Sequence, residues 1–209
     1  HFRVACHDHD PGFFRGGRDA SIRFGDLTIL VGPQGTGKSL ILKWLKTALD
    51  GKQIVSALKD AGQDVSRPDA LIDLIFGIGM GAAFGNKTKI SFGKKLIHPS
   101  GIGRLGSGEE KVFFIPAHRA MLISDGWASP FQKLTAETPV VARLFSQNLF
   151  DRFTGSDGHR LFPLDRVLKH QYRGLIDEAI FHGGTVGVEQ DQQHARRLKL
   201  THGKAQLPF

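Results

Sequence analysis

The segment that decides the fold is Gly32-Pro33-Gln34-Gly35-Thr36-Gly37-Lys38-Ser39, which fits G-x-x-x-x-G-K-[ST] at every fixed position. Before it, residues 27–31 (Leu-Thr-Ile-Leu-Val) form an apolar run of strand length. After it, apolar residues recur at helical spacing between Ser39 and Asp50. A strand, a glycine-rich loop and a helix in this order are the context that a phosphate-binding loop requires. The segment therefore predicts a nucleotide site.

The residue types in this loop explain how it would hold a phosphate. Its glycines let the backbone fold tightly, so that successive N–H groups point at an anion, and the following helix adds the positive end of its dipole. Lys38 would reach the β- and γ-phosphates, and the Ser39 hydroxyl would ligate Mg²⁺. A plain glycine turn would leave the triplet Gly37-Lys38-Ser39 unexplained. The predicted nucleotide-binding residues are 32–39 together with Leu40, the next residue of the helix.

Length and composition bound the class of protein. With 209 residues, 40% of them hydrophobic, the chain can hold one good-sized domain or a domain with an inserted lobe. No apolar run approaches the length of a membrane span, so we expect no contact with the membrane. The first residues lack the basic start and apolar run of a signal peptide. The single cysteine, Cys6, excludes an internal disulfide and fits a reducing compartment, so we expect a cytoplasmic protein.

Basic residues exceed acidic ones, 28 against 20, which gives a formal net charge of +8 and suits a polyanionic partner. The segment from 82 to 108 has no acidic residue, and it carries Lys87, Lys89, Lys94, Lys95 and Arg104. Alternation of polar and apolar residues at 88–92 predicts a hairpin there. A basic hairpin of this kind is a candidate for binding nucleic acid. The alternative is a solvated basic hairpin that projects from the core.

Two further groups of residues are secondary candidates for the nucleotide site: Phe14, Arg15 and Arg18 before the loop, and His118 and Arg119 after a later apolar run. The first group could supply an aromatic face for adenine and a guanidinium for phosphate, or its phenylalanine could anchor a hairpin to the core. The apolar run, 111–116, predicts a buried strand. The second group follows its end, where open α/β sheets place their ligands. Arg119 could instead pair with an acid at the sheet edge.

Local patterns predict the remaining elements. Short strands are predicted at 2–7 and 20–24, and helices are predicted from 68, from 138 to 153 and from roughly 163 to 181. A second hairpin would pair 185–189 with 197–201.

Hydrolysis of a bound nucleotide requires acidic residues that the sequence does not clearly supply. An apolar strand that ends in Asp and Glu would hold Mg²⁺ and activate water. Asp177 and Glu178 are the nearest match, but they lie within a helical pattern in which both side chains would be solvated. The sequence therefore predicts nucleotide binding and leaves the catalytic residues unknown.

The phosphate loop and its lead-in, Ile22 to Val31, resemble the start of ABC-type ATPase heads, and most closely the SMC/RecF-like branch. The stretch from Phe113 to Arg119 looks like one found in bacterial AAA-family ATPases of that branch, some of which belong to anti-phage defence systems. The last residues, Gly203 to Phe209, are similar to the segment just before the ABC signature motif.

This resemblance implies ATP and Mg²⁺ at Gly32 to Ser39, in a head that dimerises with two nucleotides between the protomers. The signature motif, the Walker B acids and the switch histidine would all lie beyond Phe209, so the chain resembles the N-terminal part of such a head. No glutamine is assigned to the Q-loop, since both Gln132 and Gln147 lie in unconvincing contexts.

We accordingly predict an α/β fold of the P-loop NTPase type, with a mixed β-sheet core, an antiparallel β portion and an inserted, mainly helical lobe. The predicted parts are a P-loop core at 1–51, a lobe at 52–160 and a helix with a hairpin at 161–209. The predicted function is that of an ATPase head that acts on DNA or with an effector protein in phage defence. The alternatives are a small-molecule kinase, with Arg196 and Arg197 as a possible lid, and a non-catalytic module gated by nucleotide.

Overall fold

The computed structural model describes residues 2–6, 19–84, 88–117, 123–124, 127–128, 137–154, 170–172, 174–175, 178, 182–190 and 196–208. Its helices are α1 (Lys38–Asp60), α2 (Pro68–Phe76), α3 (Met80–Ala83) and α4 (Val140–Thr154), with a 3-10 helix at Pro99–Arg104. Its strands are β1 (Phe2–Cys6), β2 (Asp19–Ile22), β3 (Thr88–Phe92), β4 (Lys95–Ile97), β5 (Ile123–Ser124), β6 (Trp127–Ala128), β7 (Thr185–Gln190), β8 (Arg196–His202) and β9 (Ala205–Pro208).

The described strands form three small sheets. Their orders are β2-β1-β3-β4, β5-β6 and β7-β8-β9, and every described pairing is antiparallel. The predicted hairpin at 88–92 is confirmed as β3 and β4, with Ile90 opposite Ile97. The predicted hairpin near the end is confirmed as β7 and β8, and β9 adds a third strand beside β8.

The chain divides into two compact units. The first contains residues 1–116 and 132–143, and the second contains 117–131 and 144–209. The core of the first unit lies where the 3-10 helix packs against α1 and α2, and its most buried apolar side chains are Ile54, Leu58, Ile72, Ile75 and Ile102. Full burial of each such side chain contributes about 1.5–3 kcal/mol. In the second unit, Leu198 on β8 is buried, and an ion pair joins Lys199 to Glu189.

Helix α1 begins at the predicted place and runs ten residues further than the pattern predicts, to Asp60 instead of Asp50. Asp50 has non-helical dihedral angles, φ −121° and ψ 17°, so α1 is kinked there. The helix resumes after the kink because Ile54 and Leu58 continue its buried side. The predicted boundary between 51 and 52 therefore falls inside this helix.

Two predicted strands, 27–31 and 111–116, are not strands in the structure. Phe113 and Ile115 are 49% and 56% exposed, so the predicted burial of 111–116 is also wrong, and in the run before the loop Leu27, Ile29 and Val31 are 82%, 72% and 89% exposed. The physical reason is that neither run forms a ladder of backbone hydrogen bonds with another strand of the described residues. The mixed sheet around the loop, and with it the P-loop NTPase fold, stays a prediction.

The other predicted elements are confirmed where the structure describes them. The strands near the start are β1 and β2, the helix from 68 is α2 with Pro68 in its first turn, and the helix at 138–153 is α4. The helix predicted from 163 to 181 lies mostly outside the described residues, although 170–172 and 174 are helical. No helix in the described part of the chain combines the length and the apolar character needed to cross a bilayer.

Candidate phosphate-binding site

Residues 32–39, the candidate phosphate loop, form a surface loop whose backbone turns twice into the left-handed region. Gly35 has φ +80° and Gly37 has φ +82°, values that side chains with a Cβ rarely adopt. Gly37 is the N-cap residue of α1, and its carbonyl accepts the first helical hydrogen bond, from Ile41 N–H at 3.0 Å. The glycines therefore allow the chain to enter the helix directly from the loop.

The loop and the first turn of α1 expose a run of backbone donors. Among the described residues, no acceptor takes a hydrogen bond from the N–H groups of residues 34–40. The first N–H groups of any helix lack an intrahelical partner, and they carry the positive end of its dipole. Here the glycine turns extend that set of donors backwards into the loop. A loop of this kind can bind an anion through its backbone.

Lys38 folds back over the loop instead of extending into solvent. Its Nζ donates to the carbonyl oxygens of Gly32 at 2.8 Å and Pro33 at 2.6 Å, and it lies 3.3 Å from Thr36 Oγ1. Thr36 Oγ1 in turn donates to the Pro33 carbonyl at 2.9 Å. An ammonium group has three donors, so these contacts use all of them. A phosphate that binds Lys38 must replace at least one loop carbonyl.

An aromatic cluster under α1 fixes the start of the helix and thus the position of the loop. The ring of Trp44 lies 4.4 Å from that of Phe76 and 5.0 Å from that of Phe84. Lys43, on the same helix, donates to the Phe76 carbonyl at 3.3 Å, and burial lowers the pKa of its ammonium group. Offset and edge-to-face aromatic pairs contribute about 0.5–1.5 kcal/mol beyond their burial. The first turns of α1, which follow the loop, are therefore held by packed aromatic side chains.

The Ser39 hydroxyl could supply one of the oxygen ligands of a bound Mg²⁺ ion. Ser39 is exposed at the second position of α1, beside Lys38. Mg²⁺ usually keeps several waters and takes one or two protein oxygens together with the phosphates of its substrate. The described residues contain no group of three or more His, Cys, Asp or Glu side chains that could hold a metal ion. Phosphates and water would thus supply the remaining oxygens.

Several sequence candidates lie outside the described residues: Phe14, Arg15, Arg18, Lys87, His118, Arg119, Gln132 and Asp177. Glu178 is described and is exposed. Gln147 lies on α4, where its Nε2 donates to Asp151 Oδ1 at 2.8 Å. Nothing described places these residues at the loop.

The four described basic candidates, Lys89, Lys94, Lys95 and Arg104, are all exposed. Arg104 lies at the end of the 3-10 helix, and the three lysines do not share one face of the hairpin. Lys95 is opposite Phe92, whereas Lys89 is an odd number of residues from Phe92 and so lies on the other face. Lys94 is in the turn. The structure therefore distributes the charge of these lysines over both faces and the turn of the hairpin.

Sequence reasoning missed a charged group, the Lys46 cluster, which consists of the buried Lys46 and Asp50 and the more exposed Glu110. Lys46 and Asp50 are 1% and 0% exposed, and Lys46 Nζ donates to Asp50 Oδ2 at 3.0 Å and to Glu110 Oε1 at 2.8 Å. It also donates to the carbonyl of Val112 at 2.6 Å. The i, i+4 spacing of Lys46 and Asp50 within α1 could have indicated that these two side chains interact. The third member, Glu110, is 64 residues from Lys46 in the sequence, so no local pattern indicates it.

Comparison of the chain with family models, with curated proteins and with solved structures gives no match.

Proposed function

We propose that this chain binds ATP at residues 32–40, as the ATPase head of an SMC/RecF-like system that acts on DNA or in phage defence. The observation that carries the proposal is the loop itself: the N–H groups of residues 34–40, which bond to no acceptor in the described part of the chain, lie in the same short segment as the Lys38 ammonium and the Ser39 hydroxyl. That combination suits a polyphosphate with a bound cation. The proposal includes a homodimer of heads, an effector protein as partner and a cytoplasmic location.

A calorimetric titration tests the proposal directly. We expect the chain to bind ATP with Mg²⁺ more tightly than ADP, and ADP more tightly than inorganic phosphate, because each further phosphate adds charge that the loop donors and Lys38 can meet. The absence of binding at millimolar ATP would contradict the assignment.

Turnover assays separate this function from its alternatives. Nucleotide hydrolysis needs a carboxylate that orients water, and no such group has been placed at the loop among the described residues. ATP hydrolysis stimulated by DNA supports an ATPase head, and a phosphorylated small molecule supports a kinase. Binding without turnover supports a module that is gated by nucleotide.

We expect Ser39→Ala to weaken the binding of ATP only when Mg²⁺ is present. The hydroxyl supplies one oxygen to the cation, so its removal should cost roughly tenfold in affinity, the equivalent of one hydrogen bond to a charged group. Titrations with Mg²⁺ and with a chelator measure the difference. Ser56→Ala, an exposed serine on the same helix, is the matched control and should bind like the wild type. Equal losses with and without Mg²⁺ would argue against the role in binding the cation.

The proposal extends to nucleic acid as the polymer that the head acts on. Its support is the net charge of +8 and the exposed lysines at the turn of the β3–β4 hairpin. Charge reversal of Lys94 and Lys95 together should weaken the binding of DNA and make its salt dependence less steep by about two in a log–log plot. Fluorescence anisotropy at several salt concentrations gives both quantities.

A control with the same change in net charge shows whether the hairpin lysines contact DNA directly or only add to the overall positive charge. Lys59→Glu with Arg67→Glu alters two exposed residues of α1 and the start of α2. We expect this pair to change the salt slope less than the hairpin pair. Equal effects of the two pairs would mean that the hairpin is not the contact.

A further inference from the structure

Two side chains of the loop at 32–39, those of Thr36 and Lys38, belong to residues that are partly withdrawn from solvent, whereas Pro33, Gln34 and Ser39 are exposed. A lysine at a protein surface usually keeps its ammonium group in water. Here Lys38 Nζ donates instead to the carbonyl oxygens of Gly32 and Pro33 and, at 3.3 Å, to Thr36 Oγ1. We call the ammonium group and these three acceptors the Lys38 cluster.

The Thr36 hydroxyl takes part in the Lys38 cluster in two ways. Its Oγ1 donates to the Pro33 carbonyl at 2.9 Å and accepts from Lys38 Nζ. The Pro33 carbonyl thus receives two donors, which occupy both of its lone pairs. A Cβ on Gly32 would lie 3.3 Å from Thr36 Oγ1, so the hydroxyl fits closely against a position without a side chain. The hydroxyl therefore holds the Pro33 carbonyl where it accepts from Lys38.

Every acceptor in the Lys38 cluster is electrically neutral. In the described part of the chain Lys38 forms no ion pair, so its charge is hydrogen-bonded but not compensated. Hydrogen bonds between an ammonium group and a phosphate oxygen are stronger than those to a neutral carbonyl. A phosphate can therefore replace the loop oxygens, but the bonds that it breaks reduce the net gain.

We propose that Thr36 is a positioning residue of the nucleotide site: its hydroxyl holds the free loop closed around Lys38, and nucleotide binding releases Lys38 from this arrangement. The inference rests on the proposed function and names a residue that sets the affinity of its site. A ligand that binds only the released form has its affinity reduced by the fraction of molecules in which Lys38 is released. Weakening the Lys38 cluster without changing Lys38 should therefore tighten binding.

The substitution that tests this is Thr36→Val, which replaces the hydroxyl by a methyl group and keeps the branched Cβ. We expect calorimetry to show ATP with Mg²⁺ binding about fivefold more tightly than to the wild type, the equivalent of one hydrogen bond lost from the free loop. Thr36→Ser retains the hydroxyl and should bind like the wild type. Thr185→Val makes the same change at an exposed residue of β7 and should also have no effect.

Nuclear magnetic resonance of the lysine ammonium groups tests the closed arrangement without any nucleotide. An ammonium group held by three acceptors exchanges its protons slowly with water, so we expect a resolved Lys38 signal in the free wild type. Lys38→Arg identifies this signal by its loss. The signal should persist in Thr36→Ser and broaden beyond detection in Thr36→Val, a difference that a change in overall stability would not produce.

The outcomes separate this inference from the proposed function. If the wild type binds ATP and folded Thr36→Val binds it equally or more weakly, the inference is overturned and ATP binding stands. The same holds if Thr36→Ser behaves like Thr36→Val, or if the free wild type gives no Lys38 signal. If Thr36→Val does not fold by circular dichroism, Thr36→Ala takes its place with the same expected results. A wild type that does not bind ATP would overturn the proposed function and this inference with it.

Discussion

Lys38→Ala should abolish measurable binding of ATP. The Lys38 ammonium lies at the loop, with Nζ within 2.8 Å of two loop carbonyl oxygens, so it needs only a short movement to meet a phosphate. Hydrogen bonds to charged groups contribute about 1.5–3 kcal/mol each, and the loss of two predicts at least a roughly 100-fold fall in affinity. Isothermal titration calorimetry with ATP and Mg²⁺ measures this change.

Two further variants define the cause of the loss. Lys59→Ala removes an exposed lysine from the last turn of the same helix and should leave the affinity unchanged. Lys38→Arg keeps the charge but places a planar group in a loop that holds an ammonium, so we expect weak binding between the two extremes. An unchanged affinity in folded Lys38→Ala would refute the assignment of the phosphate loop.

Gly106→Ala should be the most destabilising of the substitutions considered for this chain. Gly106 has φ +80°, and an added Cβ would overlap the backbone oxygen of Leu49 at the kink of α1. The left-handed conformation costs a residue with a Cβ about 1–2 kcal/mol. The overlap adds to that cost because a backbone atom cannot move aside without disturbing the helix, so we expect a total above about 3 kcal/mol. Urea unfolding monitored by circular dichroism gives this difference.

Gly62→Ala separates the two contributions. Gly62 has almost the same dihedral angle, φ +75°, but an added Cβ would meet nothing within 4 Å. Its cost should therefore be only the conformational one, about 1–2 kcal/mol. Similar losses for the two variants would show that the loop at 106 moves away from α1 without penalty.

Much of the local structure could be predicted from the sequence because its causes lie close together along the chain. Pro68 at the start of α2, the alternation in β3 and the apolar spacing in α4 each act over a few residues. The conformation of the loop at 32–39 belongs to this group. Its glycines lie where the backbone needs positive φ, and Gly37 is the residue that immediately precedes α1.

Prediction from the sequence was wrong where the structure of a segment depends on which other segments of the chain lie beside it. The runs 27–31 and 111–116 have the composition of buried strands, yet a strand needs another backbone beside it. In the described residues neither run is part of a sheet, and Val31 is 89% exposed. The end of α1 was misplaced for a related reason, since the burial of Ile54 and Leu58 against distant residues carries the helix past its kink.

The sequence by itself determined the conformation of the loop at 32–39, because its glycines and Lys38 act on groups within a few residues of one another. The tertiary structure alone decided that Lys38 bonds to the loop carbonyls, that Gly106 faces Leu49, and that Lys46 meets Glu110 across 64 positions of the chain. Buried charge pairs and close backbone contacts form between segments that are far apart in the sequence. Local periodicity therefore gives no information about them.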